Sequence, residues 1–305
     1  MARVPTAQII RRAWKLGTVV PGFNIPYLPM MEPVVQALVD MRCIGLVMVS
    51  RLEWIKFKAG SIAAVRDEYE NVKHERYTRL HLDHVPVIDE DGHHVDYLAD
   101  IRKAIELGYE SVMVDGSRLD VEENIAATCQ VVQIARAAGV PVEAELGAIL
   151  GHEAEPMPPY EELFATRRGF TDPQEAKRFV ETTEIDWLSM AVGNVHGATS
   201  EAKKSQQKIQ ARLDIEHMDR ITSGINVPLV LHGGTGIEPK LVRQAVQHGI
   251  AKINIGTAIR QPYEQTSSRP AAAQREVYAA TVRILRDDLR IEGSADLIDP
   301  VSTHT

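Results

Sequence analysis

The chain is poor in the features that mark several protein classes. It has only two cysteines, Cys43 and Cys129, in 305 residues. Neither stands in a CxxC or other metal-type spacing, so both read as buried thiols of a reducing compartment. No apolar run approaches the roughly 20 residues needed to cross a bilayer, and membrane insertion is not expected. Positive charge is scarce: 34 Lys and Arg face 42 Asp and Glu, a formal net charge of −8. That balance argues against a nucleic-acid binder. It leaves room for a phosphorylated metabolite, because backbone amides can hold phosphate inside an acidic protein. No GxGxxG follows an early strand-like run, which counts against a doubly wound dinucleotide fold. Linkers and low-complexity segments are missing too, which predicts a single domain over 1–305. The opening stretch MARVPTAQIIRRAWKLG lacks an apolar h-region and reads as an amphipathic helix. The expectation is no signal peptide and a cytoplasmic location.

What is present is a repeat of short apolar, β-branched runs. Eight occur, at 18–24, 43–50, 79–85, 111–117, 141–147, 187–193, 228–234 and 252–258. Several end in Gly, Ser, Asp or Asn, which is turn chemistry. Between them lie stretches such as VDYLADIRKAIELG and VEENIAATCQVVQIARAAG, apolar at i, i+3, i+4 and i+7. Near-continuous apolar strands alternating with helices imply a parallel sheet covered on both faces. Eight such units predict an α/β fold, a single-domain (β/α)8 TIM barrel. An additional C-terminal helix is predicted at about 271–290, with a frayed tail over 297–305. Two connections are long, PVIDEDGHHVDY and GAILGHEAEPMPPYEELFATRRGF. Both follow strand C-termini, the face where barrel enzymes keep their active sites.

Polar residues gather at those same strand ends. They are Asn24, Ser50, Asp83 and His84, Asp115 and Ser117, Glu143 and Glu145, then His196, His232, Asn254 and Thr257. Three imidazoles on one rim, His84, His196 and His232, have the makings of a catalytic metal site with an open position. Asp83 and His84 are adjacent, so a regular strand would send them to opposite faces. His81 shares the face of Asp83 and reads as a core residue, whereas His93 and His94 read as solvated. HGGTG and NIGT offer glycine backbone and the hydroxyls of Thr235 and Thr257 after strands 7 and 8, where barrels commonly bind phosphate.

The motifs HLDH, SVMVDGS with EENI, VEAELG, AVGNVHG, LVLHGGTG and KINIGT, in this order, resemble those of the class II metal-dependent ketose-bisphosphate aldolases. The likeness runs from PGFNIPYLPMMEPVVQAL to about Arg260, and more weakly through the last helix. It implies reversible retro-aldol cleavage of a ketose 1-phosphate or 1,6-bisphosphate to dihydroxyacetone phosphate and an aldehyde, with a metal-stabilised enediolate. It also implies one catalytic Zn2+ per chain on His84, His196 and His232, with Glu145 able to hold a displaced ion or a second divalent or monovalent cation. Asp83 would be the acid/base at the C4 hydroxyl and Glu153 the loop carboxylate that moves the C3 proton. Gly197, Gly233, Thr235, Asn254 and Thr257 would cradle the C1 phosphate, Asn24 and Ser50 would line the pocket, and Arg260 would meet a phosphate at C6. A homodimer or homotetramer is the implied assembly. Departures from the family pattern include Gly256 where an Asp or Ala is usual, Arg118 after DGS, Leu150 before the loop glutamate and Ala154 after it. They predict a substrate other than the common glycolytic one.

Two other readings remain open on the sequence. A Schiff-base aldolase would need Lys252 as its amine, although Lys252 reads as a rim residue with its head in water. A non-catalytic barrel subunit of an aldolase complex would lack the metal. Chelation with EDTA is expected to abolish turnover, and borohydride with substrate is expected to trap no adduct; the opposite pair of results would place the chemistry on Lys252.

Overall fold

In the computed structural model, residues 3–147, 159–195 and 211–300 are described. Eight parallel strands close on themselves in chain order. They are β1 (Val20–Asn24), β2 (Gly45–Ser50), β3 (Thr78–Pro86), β4 (Ser111–Asp115), β5 (Val142–Leu146), β6 (Trp187–Met190), β7 (Leu229–Leu231) and β8 (Ile250–Ile255). The closing pair is β1 with β8, where Gly22 stands beside Asn254. The expected (β/α)8 barrel is therefore the observed fold.

Alternation along each strand divides the core in two. Outward residues such as Phe23, Val47, Leu82, Val112, Ala144 and Leu188 pack under the helices in the larger apolar cluster. Val20, Leu46, Met48, Trp187 and Val230 join Ile9, Ile10 and Ala13 of the helix Thr6–Leu16 in a second cluster. That helix presents Ile9, Ile10 and Ala13 on one face, at i, i+1 and i+4, and so closes the N-terminal end of the barrel. Toward the C-terminal end the inward positions turn polar: Asn24, Ser50, Asp83, Glu143, Glu145 and Asn254 are all buried.

Several details depart from the sequence reading. Asp83 and His84 do not diverge. The β3–β4 register slips between Leu82 and Val85, and His84 takes φ 31°. An L-residue rarely enters this left-handed region. A bulge of this kind re-aims side chains, and here it keeps both residues at the site. The Lys252 head is not in water; the residue is fully buried. Cys43 is buried as expected, but Cys129 is only half-buried. The last long helix is Pro270–Arg283, ending in a five-residue π turn at Ile284–Asp288. The tail is not loose from 297: Ala295–Ile298 is a helical turn and Ile298 is fully buried beside Ile9 and Ile10. Helices Arg51–Lys56, Ile62–Val72 and Thr257–Thr266 were not anticipated. The long connection after β3 folds on Asp89, whose carboxylate accepts from the Asp91 and His93 N–H groups; His93 and His94 are exposed. No helix among the described residues is long and apolar enough to cross a membrane.

Ile298 tests the closure of the barrel floor. Ile298→Ala is expected to cost about 2–5 kcal/mol through lost contacts and the cavity left behind, read from the urea midpoint. A frayed tail would give no shift.

Candidate active site

Strand register sets the site. Ser50 of β2 lies beside Asp83 of β3, and Asp115 of β4 beside Glu145 of β5. The bulge then turns His84 over this row. His232 follows β7 directly, and its ring meets that of His84 edge-on, with centroids 4.5 Å apart. Asp83, His84 and His232 can each offer a ligand atom within 4.8 Å of the others, and so can His84, Asp115 and Glu145.

Carboxylates hold both imidazoles. His84 Nδ1 lies 2.9 Å from Asp115 Oδ2, and His232 Nε2 lies 2.8 Å from Glu143 Oε1. His232 Nδ1 also lies 3.2 Å from Glu145 Oε2. A metal-binding histidine is usually held in this way, one ring nitrogen on a carboxylate and the other toward the ion. Two ligands about 2.1 Å from a zinc-like ion are at most about 4.2 Å apart, and the donor atoms here all lie within 4.8 Å of one another, close to that limit. The donor set therefore fits a divalent cation.

The electrostatics point the same way. Burial alone would lower His84, but Asp83, Asp115 and Glu145 outweigh it and push the ring up to about 10. Burial would raise Asp115, yet His84 and the Ser117 donors hold it well below the usual carboxylate range. Glu143 is held low against burial by Lys252 and His232. Glu145 is pushed up, by burial and then by Asp115. Such a box of carboxylates draws positive charge to its centre.

Asp83 is only 1% exposed and is fixed by two amides. Asn24 Nδ2 donates to one oxygen at 2.8 Å, and Asn254 Nδ2 donates to the other, also at 2.8 Å. The Asn254 side chain is thus engaged at the acid, and its Oδ1 accepts from Lys252 Nζ at 2.6 Å. Lys252 also reaches Glu143 Oε2 at 2.8 Å. It does not line the pocket, which does not suit a Schiff-base amine.

A pocket opens above these groups. Asn24, Ser50, Asp83, His84, His232, Gly233, Thr235, Asn254, Thr257 and Arg260, all expected at the site, line it. Glu145 sits beneath, against the imidazoles. His196, Gly197 and Glu153 lie outside the described residues. Gly233 has φ 65°, a conformation natural to glycine. Thr257 begins the helix Thr257–Thr266, whose first turn presents unpaired N–H groups.

Sequence reasoning missed Glu53, which also lines the pocket and is 7% exposed. Its carboxylate closes a capping box with Ser50, and the S-x-x-E pattern at 50–53 was the available signal. Glu143 was noted only as a strand-end acid, yet it anchors His232, Lys252 and the Trp187 indole.

Fold and donors together define a (β/α)8 barrel with a candidate divalent-cation centre at its strand C-termini. The sequence matches the family described as fructose-bisphosphate aldolase class-II over residues 4–294. A fructose-bisphosphate aldolase of Streptococcus pyogenes serotype M3 is 34% identical over 262 residues, covering 84% of this chain and 80% of that protein. Among solved structures, the YdjI aldolase from Escherichia coli K12 superposes with a TM-score of 0.74 at 23% identity, covering 96% of this chain and all of that one. The fructose-bisphosphate aldolase of Campylobacter jejuni gives 0.70 at 18% identity, covering 95% and 96%. These two structural likenesses carry the fold. The chain belongs to the class II fructose-bisphosphate aldolase family, as its motifs led one to expect, and is a carbon–carbon lyase.

His232→Ala is expected to abolish binding of one zinc-like ion per chain. Asp115→Asn should weaken it about 10–100-fold, measured by metal titration of the chelated protein. Undiminished binding in both variants would remove this centre.

Proposed function

We propose that the enzyme cleaves a ketose bearing a 1-phosphate reversibly to dihydroxyacetone phosphate and an aldehyde, with a zinc-like ion held by His84, His196 and His232. The observation that carries the reading is Asp83, a buried carboxylate held by two amides beside the paired imidazoles. Bound there, the ion would act as a Lewis acid on the carbonyl next to the scissile bond.

The residues of the chain do the rest. Retro-aldol cleavage needs a base at the hydroxyl whose carbon becomes the aldehyde. Asp83 takes that proton. Both of its oxygens accept from amides, one from Asn24 and one from Asn254, which orients the carboxylate. Burial would raise the Asp83 pKa, but His84 and Lys252 overrule it and keep the group ionised and able to accept a proton. Gly233, Thr235 and the start of the helix at Thr257 receive the 1-phosphate through N–H and hydroxyl groups. Glu153 would exchange the C3 proton and Gly197 would complete the phosphate cradle, in keeping with the motif likeness. Glu145 is the place for a displaced or second cation.

Asp83→Ala is expected to keep its metal and lose turnover by about 10²–10⁴-fold, followed as dihydroxyacetone phosphate release together with metal content. Near-normal turnover would take Asp83 out of the reaction.

A further inference from the structure

The far wall of the pocket has its own chemistry. It is built by Pro26, Leu52, Glu53, Phe57 and Arg260. Arg260 is the only Lys or Arg among the described lining residues, and it is committed: its Nη1 donates to both oxygens of Glu264, at 2.9 and 2.8 Å. Tyr27 donates to the same carboxylate at 2.8 Å, and the Phe57 ring lies 5.3 Å from the guanidinium carbon. With Nη1 held by Glu264, the carboxylate charge beside the guanidinium weakens it as a partner for a phosphate dianion, although Nε and Nη2 take no part in that pair.

Glu53 adds an acid to this wall. Its Oε2 accepts from the Ser50 N–H at 2.7 Å and from Asn24 Nδ2 at 3.4 Å. Both bonds fall on Oε2, and Glu53 lines the pocket. Asn24 donates from the same nitrogen to Asp83, so Glu53 stands one amide away from the proposed base. Burial, the largest effect, pushes Glu53 up to about 8 against the Ser50 N–H, and Asp83 adds to the rise. Near neutral pH the group can therefore donate to a hydroxyl as well as accept from it. Gly256 also lines the pocket, and a Cβ there would make ordinary contact with Asn24, nearest at 3.6 Å.

We infer that Glu53 and the Arg260–Glu264 pair make the far wall select a hydroxylated aldehyde that carries no phosphate, with Glu53 hydrogen-bonding a hydroxyl of that half. This rests on the aldolase reading above and narrows its substrate to a ketose with phosphate at C1 alone. The geometry assigns the two halves to different chemistry. Amides around Gly233 and at Thr257 would serve the anion; Glu53 on the β2 side and the Arg260–Glu264 pair one turn along the helix Thr257–Thr266 would serve the neutral polyol.

Condensation of dihydroxyacetone phosphate with glyceraldehyde, glyceraldehyde 3-phosphate and propanal tests it. The native enzyme should favour glyceraldehyde over each of the other two by at least about tenfold in kcat/KM, as a site built around a substrate hydroxyl does. Glu53→Ala should lose about tenfold more on glyceraldehyde than on propanal, the difference lying mostly in KM, and Glu53→Gln should restore part of that difference. Glu264→Gln keeps an acceptor for Tyr27 and frees Arg260, so it should raise the 3-phosphate relative to glyceraldehyde by about tenfold. A native enzyme that uses the 3-phosphate as well as glyceraldehyde overturns the assignment, as does a Glu53→Ala variant that slows all three aldehydes equally. Failure to condense any aldehyde would sink the aldolase reading itself, and this assignment with it.

Discussion

The structure turns on a charge constraint inside the barrel mouth. Asp83, Glu143 and Glu145 are buried there and Asp115 is nearly so. An ionised carboxylate taken out of water is costly unless cations and donors surround it. Lys252 answers Glu143, and the two imidazoles answer the others. The high affinity of His84 for a proton and the readiness of the cluster for a divalent ion are two expressions of the same field. The upper barrel is thus a cation receptacle, with the apolar packing beneath it bearing most of the stability.

That receptacle needs a backbone most sequences avoid. At His84 the chain enters the left-handed region, and such a residue costs on the order of 1–3 kcal/mol. Pairing resumes at once, with Val85 beside Val114 and Pro86 beside Asp115, so both flanks hold the distortion in place. The gain is that a carboxylate and an imidazole, neighbours in sequence, both face the site. A regular strand could present only one of them.

Much of this was legible beforehand. The eight apolar runs gave the barrel because parallel strands covered on both faces leave no other composition. The polar strand ends gave most of the pocket. What escaped has physical causes. The period-2 rule that separates Asp83 from His84 fails at a bulge, and no residue in HLDH announces one. Lys252 read as a rim residue because Glu143, its carboxylate partner, comes from β5 and meets it only inside the closed barrel. Thr257–Thr266 carries Pro262 and little apolar periodicity, so it did not read as a helix. Glu53 lay in plain view as a capping box, but a cap is a local device; that its carboxyl lines the pocket follows from where β1 brings Asn24. For His196, Gly197 and Glu153 the motifs remain the support, since they lie outside the described residues.

The distribution of cations explains how an acidic protein can hold a phosphorylated sugar. Lys252 answers Glu143 and Arg260 answers Glu264, so among the described residues these two positive side chains at the site are matched within the fold. In the proposed function, phosphate recognition would fall to groups that carry no countercharge: the N–H groups around Gly233 and the first turn at Thr257. Backbone donors are fixed by the strand ends and helix start that position them, and they need no reorganisation when the anion arrives. Lysines in that place would have competed with a divalent ion for the same carboxylates. With the phosphate on amides and the cations on buried acids, the proposed site would let one mouth hold a dianion and a divalent cation without either field cancelling the other.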